Sequence, residues 1–198
     1  MTWKAALQTM LVLGLGIAIG PQLATRVQAQ EAAAAPSPPP SALPQWYEDQ
    51  IAFMTQQSGR WIADNSQYKS ETEPFDAFGM EWTPGIGGKS LKGRLFALRD
   101  GQEVATFWEF RTFWHPGEKE VVILQFGGNG VVGPGTVTSE GPGKTRSVQE
   151  FFRPDGGSTK VLHESEQQEG GIRITRAYDL APDGATIPRR TYIWKVQP

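Results

Sequence analysis

The sequence predicts an all-β protein: an antiparallel up-and-down barrel of about ten strands, preceded by one short N-terminal capping helix. Three observations lead there. Turn signals recur at steps of about 12 to 16 residues: Gly87-Gly88, Asp100-Gly101, Pro116-Gly117, Gly127 to Gly130, Gly141-Pro142-Gly143, Asp155-Gly156, Gly170-Gly171 and Asp183-Gly184. Such pairs supply the positive φ angles that tight hairpins need. Between them lie runs of strand composition, such as Val104-Ala105-Thr106-Phe107-Trp108-Glu109-Phe110 and Glu120-Val121-Val122-Ile123-Leu124. Ten hairpin-linked strands are too many to stay flat with open edges, and closure into a barrel removes the edges. A β-sandwich is the alternative arrangement of the same strands.

The chain begins with Lys4, an apolar run strongest from Met10 to Ile19, and Val27-Gln28-Ala29. A positive start, a short apolar core and a small-residue end form the pattern of a secretory signal peptide, here over 1–29. The apolar run is shorter than the about 20 residues that span a bilayer, so no stable transmembrane span is expected after processing. The mature protein is expected to be secreted or periplasmic. Residues 30–44, with Ala32 to Ala35 and then Pro36, Pro38, Pro39 and Pro40, read as a semi-extended linker. The barrel domain is expected over 45–198.

Length and composition agree with one domain plus an appendage: 198 residues, 38% hydrophobic, with ten Phe, seven Trp and four Tyr to build a core. There is no cysteine, which excludes a disulfide framework, a thiol nucleophile, Cys-based zinc sites and a lipid-anchored bacterial lipoprotein. Without Lys4 and Arg26, the mature chain carries 17 basic and 21 acidic residues, a net charge of −4. That balance is no footprint for nucleic acid.

Leu43, Trp46, Tyr47, Ile51 and Met54 fall on one face of a helix that Ser58-Gly59 stops. Strands follow at 59–66, 74–83, 91–99, 103–114, 119–126, 131–139, 145–153, 158–167, 171–180 and 188–196. Side chains alternate along each of them. Strand 158–167 turns Lys160, Leu162, Glu164 and Glu166 to water, and Val161, His163 and Ser165 inward. On 171–180, Ile172, Ile174, Tyr178 and Leu180 share an expected inner face with Arg176. The other inner faces are Arg190, Tyr192, Trp194 and Val196; Val104, Trp108, Phe110 and Trp114; and Phe78, Met80 and Trp82.

The implied interior is aromatic with three polar groups, His163, Arg176 and Arg190. A barrel of this size can hold a small ligand, and an apolar cavity with few convergent polar groups is the usual form of a ligand site. Arginines inside need an acid, an anion or water. Glu150 and Glu81 are the candidate internal acids, and an anionic ligand is favoured if neither faces in.

The signs of catalysis are few. There is no Gly-x-Ser-x-Gly element, and Glu81, Glu109 and Glu164 are scattered over different faces. No catalytic residue is assigned. His115, just before Pro116-Gly117, reads as a turn histidine, and two histidines without a third make no dedicated zinc site. No cofactor is expected; haem, which needs one axial histidine, is the alternative that His163 or, at the rim, His115 could serve. Gly127 to Gly135 joins strand to strand, so these are hairpin and bulge glycines rather than a phosphate loop. Two alternatives to a binding barrel stand: a cavity enzyme of isomerase, cyclase or hydrolase type pairing His163 with Glu81 or Glu150, and a non-catalytic envelope interaction module if side chains fill the barrel.

Gly59-Arg60-Trp61, between the helix and the first strand, resembles the Gly-x-Trp element of the calycins, the lipocalins and fatty-acid-binding proteins. Arg190-Thr191-Tyr192 resembles the Arg-x-Tyr on the last strand of fatty-acid-binding proteins. The resemblance implies that Gly59 and Trp61 are structural, that Trp61 closes the barrel floor, and that Arg189 or Arg190 packs over its indole. It further implies that Arg190 and Tyr192 hold a ligand carboxylate. The expected partner is therefore a small apolar or amphipathic, acidic ligand. Arg190, Tyr192, Arg176 and His163 would meet its polar part, with Trp108, Phe110, Trp82, Tyr178 and Trp194 around its body. Ser66 to Glu73 is too short for the two-helix lid of fatty-acid-binding proteins, and the usual lipocalin disulfide cannot form. Phe107-Trp108-Glu109-Phe110 with Phe113 to Gly117 is similar to exported bacterial domains of unknown function.

Overall fold

The computed structural model describes residues 43–198; the expected signal peptide (1–29) and residues 30–42 of the expected linker lie outside the described residues. Helix α1 (Gln45–Met54) precedes ten strands: β1 (Arg60–Asp64), β2 (Ala77–Pro84), β3 (Ser90–Arg99), β4 (Gln102–His115), β5 (Glu120–Gly127), β6 (Val132–Gly141), β7 (Lys144–Phe152), β8 (Ser158–Gln168), β9 (Ile172–Leu180) and β10 (Thr186–Val196). Each strand pairs antiparallel with its neighbour in sequence, and β1 pairs with β10 through Trp61↔Val196 and Ile62↔Lys195. The sheet is thus a closed ten-stranded barrel, as the turn spacing predicts, and it is compatible with a calycin-like architecture.

The helix closes one end. Tyr47, Ile51 and Met54 are buried in one core with Trp61, Leu91, Val121 and Val137, which β1, β3, β5 and β6 bring together there. Trp61 is fully buried. Its indole N–H donates to the Met54 carbonyl at 2.9 Å, and its ring lies 5.0 Å from that of Phe53. Tyr47 ties the helix to β4 through a 2.9 Å hydroxyl contact with Thr112. Gly59 links the helix to the barrel at φ +68°, where a Cβ would stand 2.3 Å from the Trp82 carbonyl oxygen, so no other residue fits without displacing β2.

Four register shifts interrupt the ladders, one of them at Glu140 on β6 against β7 and the other three at the cavity strands. On β4 the register against β3 skips Phe107 and Val104, and on β10 the register against β9 skips Arg189. One consequence corrects an expected face: Val104 does not share the inner face of Trp108 but is 49% exposed. Another brings adjacent residues to the same side, so both Phe107 and Trp108, and both Arg189 and Arg190, border the interior.

The barrel exterior is apolar in places. Phe96 is fully buried although its strand turns it outward: its ring covers Gly79, where a Cβ would come within 2.2 Å of it. The Arg60 and Arg94 guanidinium groups lie 4.5 and 4.6 Å from that ring. Glu81 and Glu103 both pair with Arg94 and complete the cluster.

Candidate functional site

The barrel encloses a cavity of about 730 Å³. Its walls differ in chemistry. Strands β2 to β5 contribute Phe78, Met80, Trp82, Leu95, Phe107, Trp108, Phe110 and Ile123 with one amide, Gln125, whereas β7 to β9 contribute mostly polar groups, Ser147, Gln149, Thr159, His163, Ser165, Arg173 and Thr175, among apolar Phe151, Val161 and Ala177. Aromatic pairing stiffens the apolar side: Trp82 stacks on Phe110 at 5.2 Å, and Trp108 meets Phe151 edge-on at 5.5 Å. On β10, Tyr192 stacks on Trp194 at 5.1 Å. The cavity runs from the floor beneath α1 to a mouth at the opposite end, bordered by the segment between β1 and β2.

Seven expected lining residues are brought together here: Trp82, Trp108, Phe110, His163, Arg190, Tyr192 and Trp194. Arg176 and Tyr178 are not. Cross-strand partners share a face, and the register joins His163 to Ala177, Ser165 to Thr175 and Gln167 to Arg173. The odd-numbered residues of β9 therefore face in, and Arg176 and Tyr178 face out, opposite Glu164 and Leu162. The apolar residues of β9 misled because they cover the outside of the sheet: Leu162, on the outer face, is only 1% exposed. Arg173 takes the place inside that Arg176 was expected to fill.

Arg189 also departs from expectation. It pairs with Asp179 at 3.5 Å by the mouth. Trp61 lies beside Val196, seven residues and about 23 Å along β10, so Arg189 cannot pack over it. The helix and Phe53 cover Trp61 instead.

The interior charges fall into two groups. Arg190 holds Glu73 in a two-pronged ion pair, at 2.8 and 2.9 Å, and its guanidinium lies 4.6 Å from the Tyr68 ring and 5.5 Å from that of Tyr192. Glu73 in turn accepts from buried Asn65 at 2.9 Å. Arg153 pairs with Asp155 at 3.4 Å. Every cavity arginine near the mouth therefore has an acid. Arg173, near the floor, has none: its guanidinium reaches only Met54 Sδ at 3.3 Å and Thr145 Oγ1 at 3.5 Å, with no carboxylate partner among the described residues. Burial lowers its pKa to about 10. Burial, with the nearby charges of Arg189 and Arg173, also lowers the His163 pKa to about 4, so its imidazole is neutral at pH 7. His163 makes no hydrogen bond to another described residue. The indole N–H groups of Trp82 and Trp194 are buried without an acceptor among the described residues.

The two candidate internal acids, Glu81 and Glu150, both face out. Glu81 pairs with Arg94, and Glu150 accepts from Ser158 at 2.8 Å and lies 3.8 Å from Lys160. The internal acid is Glu73, which sequence reasoning missed because it belongs to no strand. A His163 acid–base pair with Glu81 or Glu150 is overturned, since the barrel wall separates them. His115 Nδ1 accepts from the Glu118 N–H at 3.1 Å, a local turn contact. Among the described residues no group of three or more His, Asp or Glu could hold a metal ion, and no helix is long and apolar enough to cross a membrane. No protein-family model matches the chain, and no curated protein matches it in sequence.

Proposed function

We propose that this protein is an exported, calycin-like barrel that binds a small amphipathic molecule in its cavity. The observation that carries the reading is a 730 Å³ cavity that is largely aromatic and apolar on its β2–β5 side and richer in hydrogen-bonding groups on its β7–β9 side. That volume lies within the range of small-molecule sites, and the aromatic wall offers the apolar contact that dominates such binding. Side chains do not fill the barrel, which counts against a solid interaction module. The N-terminal signal pattern supports export.

Native mass spectrometry on protein purified from its own host tests the reading. The expected result is a bound species of a few hundred daltons, lost on denaturation. Because Trp82, Trp108 and Trp194 line the cavity, added amphiphiles should also change the tryptophan emission. Absorbance of the same sample tests haem: a Soret band lost in His163→Ala would replace the amphiphile by haem. A protein that carries nothing from its host and whose emission no amphiphile alters is not a binding barrel.

A further inference from the structure

The cavity contains a charge that no described residue balances. Three of the four arginines lining it are paired, Arg153 with Asp155, Arg189 with Asp179 and Arg190 with Glu73. Arg173 is the exception, and a cation inside a barrel without a counter-charge is costly unless something supplies one. A guanidinium has five N–H donors; here the thioether of Met54 and the hydroxyl of Thr145 meet two of them, at long distance.

Its neighbours are donors too. Trp194, the register partner of Arg173 on β10, is 2% exposed, and its indole N–H has no acceptor among the described residues. Ser165 and Thr175, two residues along their strands, share one hydrogen bond of 3.0 Å, which leaves one hydroxyl hydrogen of the pair unused. Among the described residues the floor therefore holds one positive charge and hydrogen-bond donors left unmet, and no anion.

Resting on the binding function proposed above, we infer that the floor around Arg173 anchors the carboxylate of a monoanionic ligand. The acid enters head first, and its body lies between the two walls toward the mouth. Planar, forked donors match a carboxylate. The charge count selects a monoanion: His163 is neutral at pH 7 and the mouth arginines are paired, so one negative charge neutralises the site while two would leave an excess inside. This anchor differs from the last-strand Arg-x-Tyr that the calycin resemblance implies, because Glu73 already occupies Arg190. Four residues of β9, about 13 Å, separate Arg173 from Ala177, which pairs with Arg190. That span is the space for the ligand's body.

The test titrates the full chain, wild type and Arg173→Gln, with dodecanoate, dodecan-1-ol and dodecyl phosphate, following tryptophan emission and heat. Wild type should bind dodecanoate about tenfold or more tighter than the alcohol. Arg173→Gln should lose that preference while binding the alcohol as wild type does, and the unchanged alcohol affinity shows that the cavity is intact. Its thermal midpoint should not fall, because the unpaired charge is gone. Equal affinity for acid and alcohol in wild type, or a preference that survives in Arg173→Gln, overturns the anchor and leaves the binding function standing. Tighter binding of dodecyl phosphate than of dodecanoate overturns the monoanion assignment. Failure of all three amphiphiles to bind overturns the binding function along with the anchor.

Discussion

A histidine enclosed in a cavity and flanked by arginines accepts a proton reluctantly, and His163 shows what that means for stability. Its ordinary pKa of 6.5 is lowered to about 4, first by burial and then by the charges of Arg189 and Arg173. In the unfolded chain the imidazole regains its ordinary value. Between pH 6.5 and 4 the unfolded state therefore takes up a proton that the folded state refuses, and folding stability falls as the pH drops through that window. A displacement of this size corresponds to at most about 3 kcal/mol. Above pH 6.5 both states are neutral and the effect vanishes. His163→Gln should remove this part of the acid sensitivity. Urea unfolding of both proteins from pH 7.5 to 4.5 should show the wild type losing stability faster than the variant, and the His163 proton resonance should titrate near pH 4. Parallel stability curves, or a midpoint near 6.5, would refute the assignment.

The segment between β1 and β2 is irregular apart from one short turn at Ser66–Tyr68, and polar contacts rather than a sheet ladder hold it at the mouth. Glu73 joins Arg190, Asn65 joins both Glu73 and the Phe75 carbonyl, and the Tyr68 hydroxyl accepts from the Thr191 N–H. Glu73→Gln keeps the shape but removes the charge that Arg190 meets. With both side chains less than a third exposed, the loss should cost about 2 kcal/mol. Hydrogen exchange should accelerate at the bonded amides of Asn65, Tyr68, Glu73 and Asp76, while β7 to β9 remain protected. Unchanged exchange there would mean that the ion pair does not hold the segment. This segment was the part of the site least legible in the sequence, since no periodicity marks a residue that reaches the cavity from a loop. Strands were legible because glycine pairs punctuate them, and each expected span overlaps the observed one. Faces were legible only where a strand carries charge on one side, as with Lys160, Glu164 and Glu166 opposite His163. On β9 apolar residues lie outside and an arginine inside, so its composition pointed the wrong way. The hairpin would have resolved it: Gln168 pairs with Ile172, a symmetric closure in which odd residues of β8 face odd residues of β9. Once His163 is inside, Arg173, Thr175 and Ala177 must be inside as well. The bulges at Phe107 and Arg189 had no comparable signal.

Closure makes the barrel depend on a short seam. β1 has five residues and meets β10 at two register pairs, supplemented by Gln197 N–H to the Arg60 carbonyl at 2.7 Å and Ser58 Oγ–H to the Gln197 carbonyl at 2.8 Å. β10 in turn supplies a nine-pair ladder to β9 and the cavity residues Arg190, Tyr192 and Trp194. With no disulfide to hold the ends, β10 is what spares β1 and β9 from presenting open edges, which would pair with other chains. Ending the chain after Ala185 should therefore do more than remove core side chains. It should abolish the cooperative thermal transition and produce large species on size exclusion. A double variant, Tyr192→Ala with Trp194→Ala, separates the two effects. It deletes the buried rings, at a cost of several kcal/mol, but keeps the β10 backbone. This variant should melt at lower temperature yet elute from size exclusion as the wild type does, because its edges remain paired. If it aggregates as the truncated chain does, loss of core rather than an open edge drives association. If the truncated chain forms no large species and melts cooperatively, the remaining nine strands manage their edges without closure.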